Sequence, residues 1–367
     1  MRIAVPKEIM NNENRVALTP SGAQTLVHDG HEVLIETGAG EGASFLDSEY
    51  EAAGASIVGT AEDTWAQAEL LLKVKEPLES EYQYLRPDLT VFTYLHLAAD
   101  RPLTEALVDA NTTAIAYETV TDRHGTLPLL TPMSQVAGRL AAIEGTHHLL
   151  STQGGRGLLV SGVPGTQPAR VVVIGGGQVG ASAVAMAHGL RAEVTVLDLD
   201  PHVLQRFDDQ YAGGVRTLIS DPATIEKELQ EADLVIGAVL IPGSAAPKLV
   251  REETVKKMKE GAVLVDVAID QGGCFEDSHP TTYDDPTFTV HDTVFYCVAN
   301  MPGAVPNTST WALSNATLPY ILQLADKGWE KAVAENPALK AGLSTHKGQI
   351  YSAPVAEARG LPLATLD

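Results

Sequence analysis

Short apolar runs alternate with helix-like segments along most of the chain, and this alternation limits the possible folds more than any other feature. Each run has the length of a strand buried on both faces, and the segments between runs carry apolar residues at helical spacing. Successive strand, helix and strand form the crossover unit of a parallel sheet, which predicts an α/β fold. In the first part of the chain, strands are predicted at residues 3–5, 32–36, 70–74, 91–95 and 113–117, and helices at 21–29, from 47, at 79–85 and at 103–110.

A second series of the same kind begins at Arg170, with strands predicted at residues 171–174, 194–197, 234–239, 263–267 and 294–297. Prolines between residues 127 and 132 interrupt the pattern, and the amphipathic stretch from Met133 to about Leu150 predicts a helix that bridges two domains. A helix is predicted at 308–327 despite Pro319, with the tail returning to the first domain. A length of 367 residues also favours two cores. We therefore expect one domain of residues 1–128 with 305–367 and another of residues 129–304.

The formal net charge of −22 excludes several classes of partner. Such a field repels nucleic-acid phosphates and anionic lipid headgroups, so we expect a small-molecule ligand rather than nucleic acid or a membrane surface. The two cysteines, Cys274 and Cys297, lack the spacing of a disulfide framework or a metal site and are interpreted as core thiols; no metal is predicted. Because the sequence shows no signal-peptide pattern and no apolar run of membrane-spanning length, the expected location is the cytoplasm.

A glycine-rich turn follows the first predicted strand of the second series. Gly175, Gly177 and Gly180 have the spacing G-x-G-x-x-G, directly after a strand and at the start of a helix, and Asp198 ends the next strand about 20 residues later. Glycines let the backbone approach a pyrophosphate, and the helix N-terminus supplies N–H groups to hold it. The alternative is an ordinary tight turn between a strand and a helix. The full context favours a dinucleotide site, which makes residues 129–304 an NAD-binding Rossmann domain.

Asp198 also indicates which dinucleotide is bound. A carboxylate at this strand end can accept hydrogen bonds from the adenine ribose hydroxyls, and the residues just after it include no arginine for a 2′-phosphate. NAD is therefore favoured over NADP. Asp200 is the competing acid, but Asp198 comes first after the apolar strand.

Polar residues follow several of the predicted strands, where parallel α/β sheets bind their ligands. Arg15 follows the first strand, and Lys75 and His96 follow two others; in the second series Leu240 and Asp270 hold corresponding places. Two cations suit a carboxylate, and a titratable base beside an acid suits proton transfer. We expect two Rossmann-like domains with mostly parallel sheets and an active-site cleft between them, residues 1–128 with 305–367 being the substrate (catalytic) domain.

Each of these residues also has a structural interpretation. Arg15 could be a solvated loop residue, and Lys75 with Glu76 could form a surface ion pair of little energetic value. His96 could be a core histidine with its hydrogen bonds satisfied, and Asp270 could cap a turn. Their shared placement at strand ends and their complementary chemistry favour the functional interpretation.

At these residues the sequence closely resembles the alanine dehydrogenase family, which includes the α-subunit of transhydrogenase, and the match covers nearly the whole chain. The matching segments are residues 5–9 with 15–20, 73–77, 93–97, 130–134, the glycine loop, 265–273 and 300–306. The resemblance implies that Arg15 and Lys75 hold the substrate carboxylate, that His96 is the general acid/base and that Asp270 assists. It also implies NAD contacts from a further set: Ser134, Asp198, Ser220, Leu240 and Asn300. Members are commonly hexamers. This sequence departs from the family after Asp198, where Val203 or a neighbour replaces a frequent basic residue.

The implied reaction is the reversible oxidation of L-alanine to pyruvate and ammonia with NAD. Three alternatives stay open. A soluble NAD-binding subunit of a proton-translocating transhydrogenase would need a membrane-bound partner and no amino-acid site. A saccharopine dehydrogenase would oxidise a much larger amino acid, and a non-catalytic NAD-responsive binding protein would have no use for His96, Lys75 and Asp270.

Overall fold

The computed structural model describes residues 1–239 and 246–366, and the chain divides into two compact units. The first unit contains Met1–Met133 and Gly303–Asp367, and the second contains Ser134–Pro302. The division falls within one helix, which runs from Thr131 to His148. Among the described residues, no helix is both long enough and apolar enough to cross a membrane.

The helices and strands follow the chain in three stretches. The first stretch contains β1 (Arg2–Val5), α1 (Pro20–His28), β2 (Glu32–Glu36), α2 (Asp47–Ala52), β3 (Ser56–Val58), α3 (Ala61–Gln67), β4 (Leu70–Leu72), β5 (Thr90–Thr93), α4 (Arg101–Asp109), β6 (Thr113–Ala116) and α5 (Thr131–His148). The second contains β7 (Arg170–Ile174), α6 (Gln178–Gly189), β8 (Glu193–Asp198), α7 (Pro201–Tyr211), β9 (Arg216–Ile219), α8 (Pro222–Glu231), β10 (Leu234–Gly237), α9 (Glu252–Val255), β11 (Val263–Asp266), β12 (Thr287–Val290) and β13 (Thr293–Tyr296). The last contains α10 (Pro306–Lys327), α11 (Trp329–Glu335), α12 (Pro337–Gly342), β14 (Leu343–His346), β15 (Gln349–Ile350) and α13 (Ala353–Arg359).

The sheet of the first unit has the order β15-β14-β6-β5-β4-β1-β2-β3, and β1 to β6 pair in parallel. Starting from β3, these six strands lie in the order 3-2-1-4-5-6 of a Rossmann sheet. The order in which successive strands are added to the sheet reverses between β1 and β4, although these two strands are parallel. The tail adds β14 and β15 in antiparallel pairing at the β6 edge. The tail thus extends the sheet of the first unit.

The sheet of the second unit has the order β12-β13-β11-β10-β7-β8-β9. Six of its strands repeat the Rossmann order with the reversal between β7 and β10, and β12 adds an antiparallel edge. The predicted fold class of two Rossmann-like, mostly parallel α/β domains is confirmed.

Several helices begin with the same local signal, a capping side chain followed by a proline within the first two helical positions. Thr19 caps α1, Asp100 caps α4, Asp200 caps α7 and Asp221 caps α8, each by accepting a backbone N–H of the first turn. These side chains satisfy N–H groups that have no partner within the helix, and proline there loses no hydrogen bond. The caps fix where each helix leaves the carboxyl end of its strand.

Candidate active site

Arg15 lies in the segment between β1 and α1 and is 3% exposed. Its Nε donates to Glu13 Oε1 at 2.7 Å, its Nη2 donates to Glu13 Oε2 at 2.5 Å, and its Nη1 lies 3.1 Å from Met133 Sδ. Burial disfavours the charged form, but the hydrogen bonds and charge of Glu13 outweigh it and raise the pKa of Arg15 above its ordinary value. Arg15 is therefore a buried, permanent cation, and the interpretation as a solvated loop residue is wrong.

Lys75 lies three residues beyond the end of β4, beside the point where the strand order reverses. Its Nζ is 3.5 Å from Glu76 Oε2, so the ion pair that the sequence left open is present. The two side chains are only 16% and 17% exposed, so solvent screens this pair less than a surface pair. The backbone of Lys75 is held as well, because its N–H donates to Glu8 at 3.3 Å and its carbonyl accepts from Thr93 Oγ1 at 3.0 Å.

A buried ionic cluster beneath Lys75 was missed by sequence reasoning. Lys73 is 1% exposed, and its Nζ lies 3.1 Å from Glu8 Oε2 and 2.9 Å from Glu81 Oε1. The second oxygen of Glu8 accepts the backbone N–H of Val74 at 2.6 Å. Burial raises the pKa of Glu8, against the opposing charge of Lys73. The cluster ties the loop after β1 to the loop after β4, and so fixes the backbone that carries Lys75.

His96 lies three residues beyond β5 and is exposed, so its interpretation as a core histidine is wrong. Its φ is +50°, in the left-handed region that few residues other than glycine adopt. Its backbone N–H donates to Glu118 Oε1 at 2.7 Å, and the N–H of Leu95 lies 3.3 Å from the same oxygen and 3.2 Å from Glu118 Oε2. His96 thus presents an accessible imidazole on a backbone held in an unusual conformation.

Tyr94 is buried and packs beside His96. Its ring is stacked on that of His96 with centroids 6.0 Å apart, and its hydroxyl donates to the carbonyl of Leu129 at 2.5 Å. Burial raises the pKa of Tyr94, and the charge of Arg15 opposes that shift. Tyr94 therefore stays a neutral hydroxyl at physiological pH.

The glycine loop of the second unit has the geometry that its spacing predicts. Gly175 has φ +97°, and a Cβ added to Gly180 would overlap the carbonyl oxygen of Gly175. Gly177 is different, because a Cβ there would meet no described atom within 4 Å. Among the described residues no side chain caps the N-terminus of α6, which starts at Gln178. The loop therefore leaves an open approach to backbone N–H groups, as an anion-binding helix start requires.

Asp198 ends β8 beside this loop. Its Oδ2 accepts the N–H of Gly176 at 2.6 Å, and its carbonyl accepts the N–H of Ser220 at 2.9 Å, so the ends of β8 and β9 lie together. The competing Asp200 instead accepts the N–H of His202 at 2.8 Å as the cap of α7. Val203 packs over the loop, since a Cβ on Gly176 would lie 2.5 Å from Val203 Cγ1.

Asp270 is exposed in a short 3₁₀ turn, Ile269–Gln271, after β11. A second acid, Asp266, organises this loop and was missed by sequence reasoning. Asp266 is 1% exposed and accepts the N–H groups of Ala268 at 3.0 Å and Cys274 at 2.9 Å, together with Ser278 Oγ at 2.6 Å. Its carboxylate thus closes the loop on both sides of Asp270.

Two further predicted NAD contacts, Ser134 and Asn300, lie near the ends of elements. Ser134 is half-buried in the first turns of α5, and Asn300 follows β13 with φ +58°. Leu240 lies outside the described residues.

Cys274 and Cys297 are buried thiols, as predicted. Burial raises the pKa of each thiol, that of Cys297 to about 12.

Comparison with known protein families places both parts of the chain in one family. Residues 4–137 match the family model "Alanine dehydrogenase/PNT, N-terminal domain", and residues 141–353 match "Alanine dehydrogenase/PNT, C-terminal domain". The chain belongs to this family. The resemblance predicted from the sequence is confirmed.

Within the family, the chain is more similar in sequence to the alanine dehydrogenases compared than to a transhydrogenase. An alanine dehydrogenase from Mycolicibacterium smegmatis is 58% identical over 99% of this chain and 98% of its own. A solved structure titled L-alanine dehydrogenase superposes with a TM-score of 0.95 at 50% identity, covering 98% of this chain and 99% of its own. A transhydrogenase structure from Sinorhizobium meliloti gives a TM-score of 0.83 at 26% identity, covering 95% of this chain and 100% of its own.

Proposed function

We propose that this chain is an NAD-dependent amino-acid dehydrogenase that catalyses the reversible oxidative deamination of L-alanine to pyruvate and ammonia. The observation that carries the proposal is the 58% identity to an alanine dehydrogenase over 99% of the chain. The transhydrogenase structure is only 26% identical, so the role of a soluble transhydrogenase subunit has less support.

The first unit supplies the substrate site in this proposal. Arg15 and Lys75 bind the carboxylate of alanine, because a planar guanidinium and an ammonium together fix both the position and the direction of a small anion. A substrate held at its carboxylate presents Cα in one orientation, and such positioning accounts for a large part of catalytic acceleration. The burial of Arg15 and the partial burial of Lys75 support this assignment, since solvent screens both cations less.

His96 is the general acid/base, with Asp270 assisting. A hydride leaves Cα more readily when the amino group is neutral, and histidine is the side chain best suited to accept a proton near neutral pH. The exposure of His96 supports this role, because the side chain can exchange its proton with water after each turnover. The resulting imine is hydrolysed to pyruvate and ammonia.

The second unit supplies the cofactor site. The open space at Gly177 and the uncapped start of α6 fit a pyrophosphate, and Asp198 fits the ribose hydroxyls of NAD. We assign further contacts to Ser134, Ser220, Leu240 and Asn300. When bound, NAD accepts the hydride from Cα; the chain's own residues bind, orient and exchange protons. Residues 1–128 with 305–367 are then the substrate domain, and residues 129–304 the NAD-binding domain.

We expect the chain to assemble as a homo-hexamer, as its resemblance implies. Light scattering coupled to gel filtration should then give about six times the 38.8 kDa of one chain. A monomeric mass would remove this part of the proposal without affecting the assigned reaction. Cytoplasmic location stays a prediction of the sequence.

The direct test mixes the purified protein with L-alanine and NAD at alkaline pH and follows NADH absorbance. We expect steady NADH formation with wild type and only a small residual rate with His96→Asn. Asparagine tolerates a left-handed backbone, so this variant removes the imidazole without straining φ. Retained turnover in the variant would remove His96 from the mechanism. A flat trace with wild type would favour the transhydrogenase subunit or a binding protein.

A further inference from the structure

We propose that Glu118 is a positioning residue for the reaction, acting through the backbone of His96. The inference rests on the proposed function, because it assigns Glu118 a role only through the imidazole. Glu118 lies in a 3₁₀ turn, Tyr117–Thr119, just after β6. β6 is the parallel neighbour of β5, and Thr93 pairs with Ala116. The register therefore places the residues after Thr93 and those after Ala116 at one edge of the sheet.

The contact between these two strand ends is specific in form. The N–H groups of Leu95 and His96 point to the same carboxylate, at distances of 2.7 to 3.3 Å. Consecutive N–H groups beside a left-handed residue form a concavity that binds anions, and Glu118 fills it. Hydrogen bonds to an ionised acceptor are roughly twice as strong as neutral ones. Glu118 thus stabilises a backbone conformation that is costly for histidine.

The carbonyl group of His96 is also held in place, in this case as a hydrogen-bond acceptor. Its carbonyl accepts the N–H groups of Ala99 at 2.9 Å and Asp100 at 3.2 Å, which lead into α4. Glu118 therefore fixes the N–H side of a peptide segment whose carbonyl side is already fixed. Without the carboxylate, φ at His96 could relax to the ordinary region and the imidazole would be redirected.

The direct role of Glu118 is distinct from those of the substrate and cofactor residues. Its carboxylate accepts the backbone N–H groups of Leu95 and His96, whereas Arg15 is paired with Glu13 and Lys75 with Glu76. Loss of its charge should therefore lower kcat while leaving the KM for alanine and the Kd for NADH near their wild-type values. Misplacement of a reacting group by about 1 Å can cost about 100-fold in rate.

The first experiment compares Glu118→Gln with wild type and with Glu105→Gln, an exposed glutamate of α4 that pairs with Arg101. We expect Glu118→Gln to lower kcat by about ten- to a hundredfold, and Glu105→Gln to leave it unchanged. Glu118→Asp, which keeps the charge but shortens its reach, should fall between them and serves if the glutamine variant does not fold. Wild-type kcat in both Glu118 variants would overturn the proposal.

The second experiment asks whether the effect passes through His96. His96→Gly takes the positive φ without strain and leaves room for free imidazole, which is added to restore turnover. Because free imidazole is not tethered, Glu118→Gln should not lower the restored rate in the His96→Gly background. A decrease there as large as in the single variant would show a direct or general role for Glu118 and overturn the inference.

If free imidazole restores little turnover, the residual rates of His96 variants measured without imidazole answer the same question. His96→Asn and His96→Asn with Glu118→Gln should turn over equally slowly, because the second change has nothing left to misplace. A further loss in the double variant would contradict the inference. Full activity of His96→Asn would instead remove His96 from the proposed function, so the two failures are distinguishable.

Discussion

Three residues assigned to the substrate site, Arg15, Lys75 and His96, each contact a nearby glutamate. Glu13 pairs with the guanidinium of Arg15, Glu76 with the ammonium of Lys75, and Glu118 with the backbone of His96. A substrate carboxylate therefore approaches cations that already have a counter-charge, and it gains less free energy than it would from bare cations. The glutamates keep these groups ordered in the absence of substrate, which favours orientation over tight binding.

At the residue scale, Asp198 should govern cofactor affinity. Asp198→Ala is expected to raise the KM for NAD by about ten- to a hundredfold, the range for loss of hydrogen bonds to a charged group, with little change in the KM for alanine. Asp200→Ser is the matched control, because serine can cap α7 as aspartate does. Steady-state kinetics with each substrate varied in turn decide the point. The reverse pattern, in which alanine saturation changes most, would contradict the assignment to ribose.

In the glycine loop, substitutions at different glycines should affect either the stability of the fold or the affinity for the cofactor. Gly180→Ala should lower the melting temperature, because its Cβ would overlap the carbonyl of Gly175 and cost about 1–3 kcal/mol. Gly177→Ala should melt as wild type does but bind NADH more weakly, since its Cβ would enter the space assigned to the pyrophosphate. Gly189→Ala, at the far end of α6, also meets no described atom within 4 Å and should change neither binding nor fold.

Calorimetry and NADH fluorescence titration measure the two effects for the three variants. Wild-type NADH affinity in Gly177→Ala would place the pyrophosphate elsewhere.

Most strands could be predicted from periodicity, and three of the strands that were missed share one physical cause. β3 and β9 are edge strands, and β12 is an edge strand with partly exposed residues, so none has the continuous apolar run of a central strand. The predicted strands at 70–74 and 91–95 were too long, because β4 ends at Leu72 and β5 at Thr93 although the chain stays buried beyond them. An apolar run indicates that residues are buried, but it does not indicate where the hydrogen-bonded pairing of a strand ends.

The candidate site was predictable where local sequence carries the signal. The glycine loop and the residues after strands can be found from spacing alone. Glu118 could not be found, because its contact with His96 depends on the register of β5 and β6 across 22 positions. Glu8, Lys73 and Glu81 likewise look like ordinary surface charges in the sequence, and only the fold shows that they are buried.

The buried cluster of Glu8, Lys73 and Glu81 should affect the stability of the first unit without changing cofactor binding by the second. Lys73→Met leaves Glu8 and Glu81 without their cation in the first unit and should lower the free energy of unfolding by about 3–5 kcal/mol. NADH affinity, assigned to the second unit, should stay at its wild-type value well below the melting temperature. Weaker NADH binding there would show that the two functions are coupled. Lys331→Met, which removes an exposed lysine, is the control.

The loss of stability in Lys73→Met should also depend on pH. Without Lys73, burial raises the pKa of Glu8 further above its value in the unfolded chain. A raised pKa in the folded state makes stability largest at low pH and reduces it as pH rises through that pKa. The difference from wild type should therefore be larger near about pH 8 than near about pH 5, as measured by urea unfolding. A pH-independent difference would contradict burial of the charged carboxyls.

The hairpin of β14 and β15 has a consequence for how the chain is made. The second unit is contiguous and complete at Pro302, whereas the sheet of the first unit lacks its last two strands until Ile350 has been synthesised. Domains generally fold as units during translation, beginning at the N-terminus. Here that order is reversed: residues 1–133 leave the ribosome before the second unit but are completed after it, and β6 keeps an unpaired edge in the nascent chain until β14 has been made.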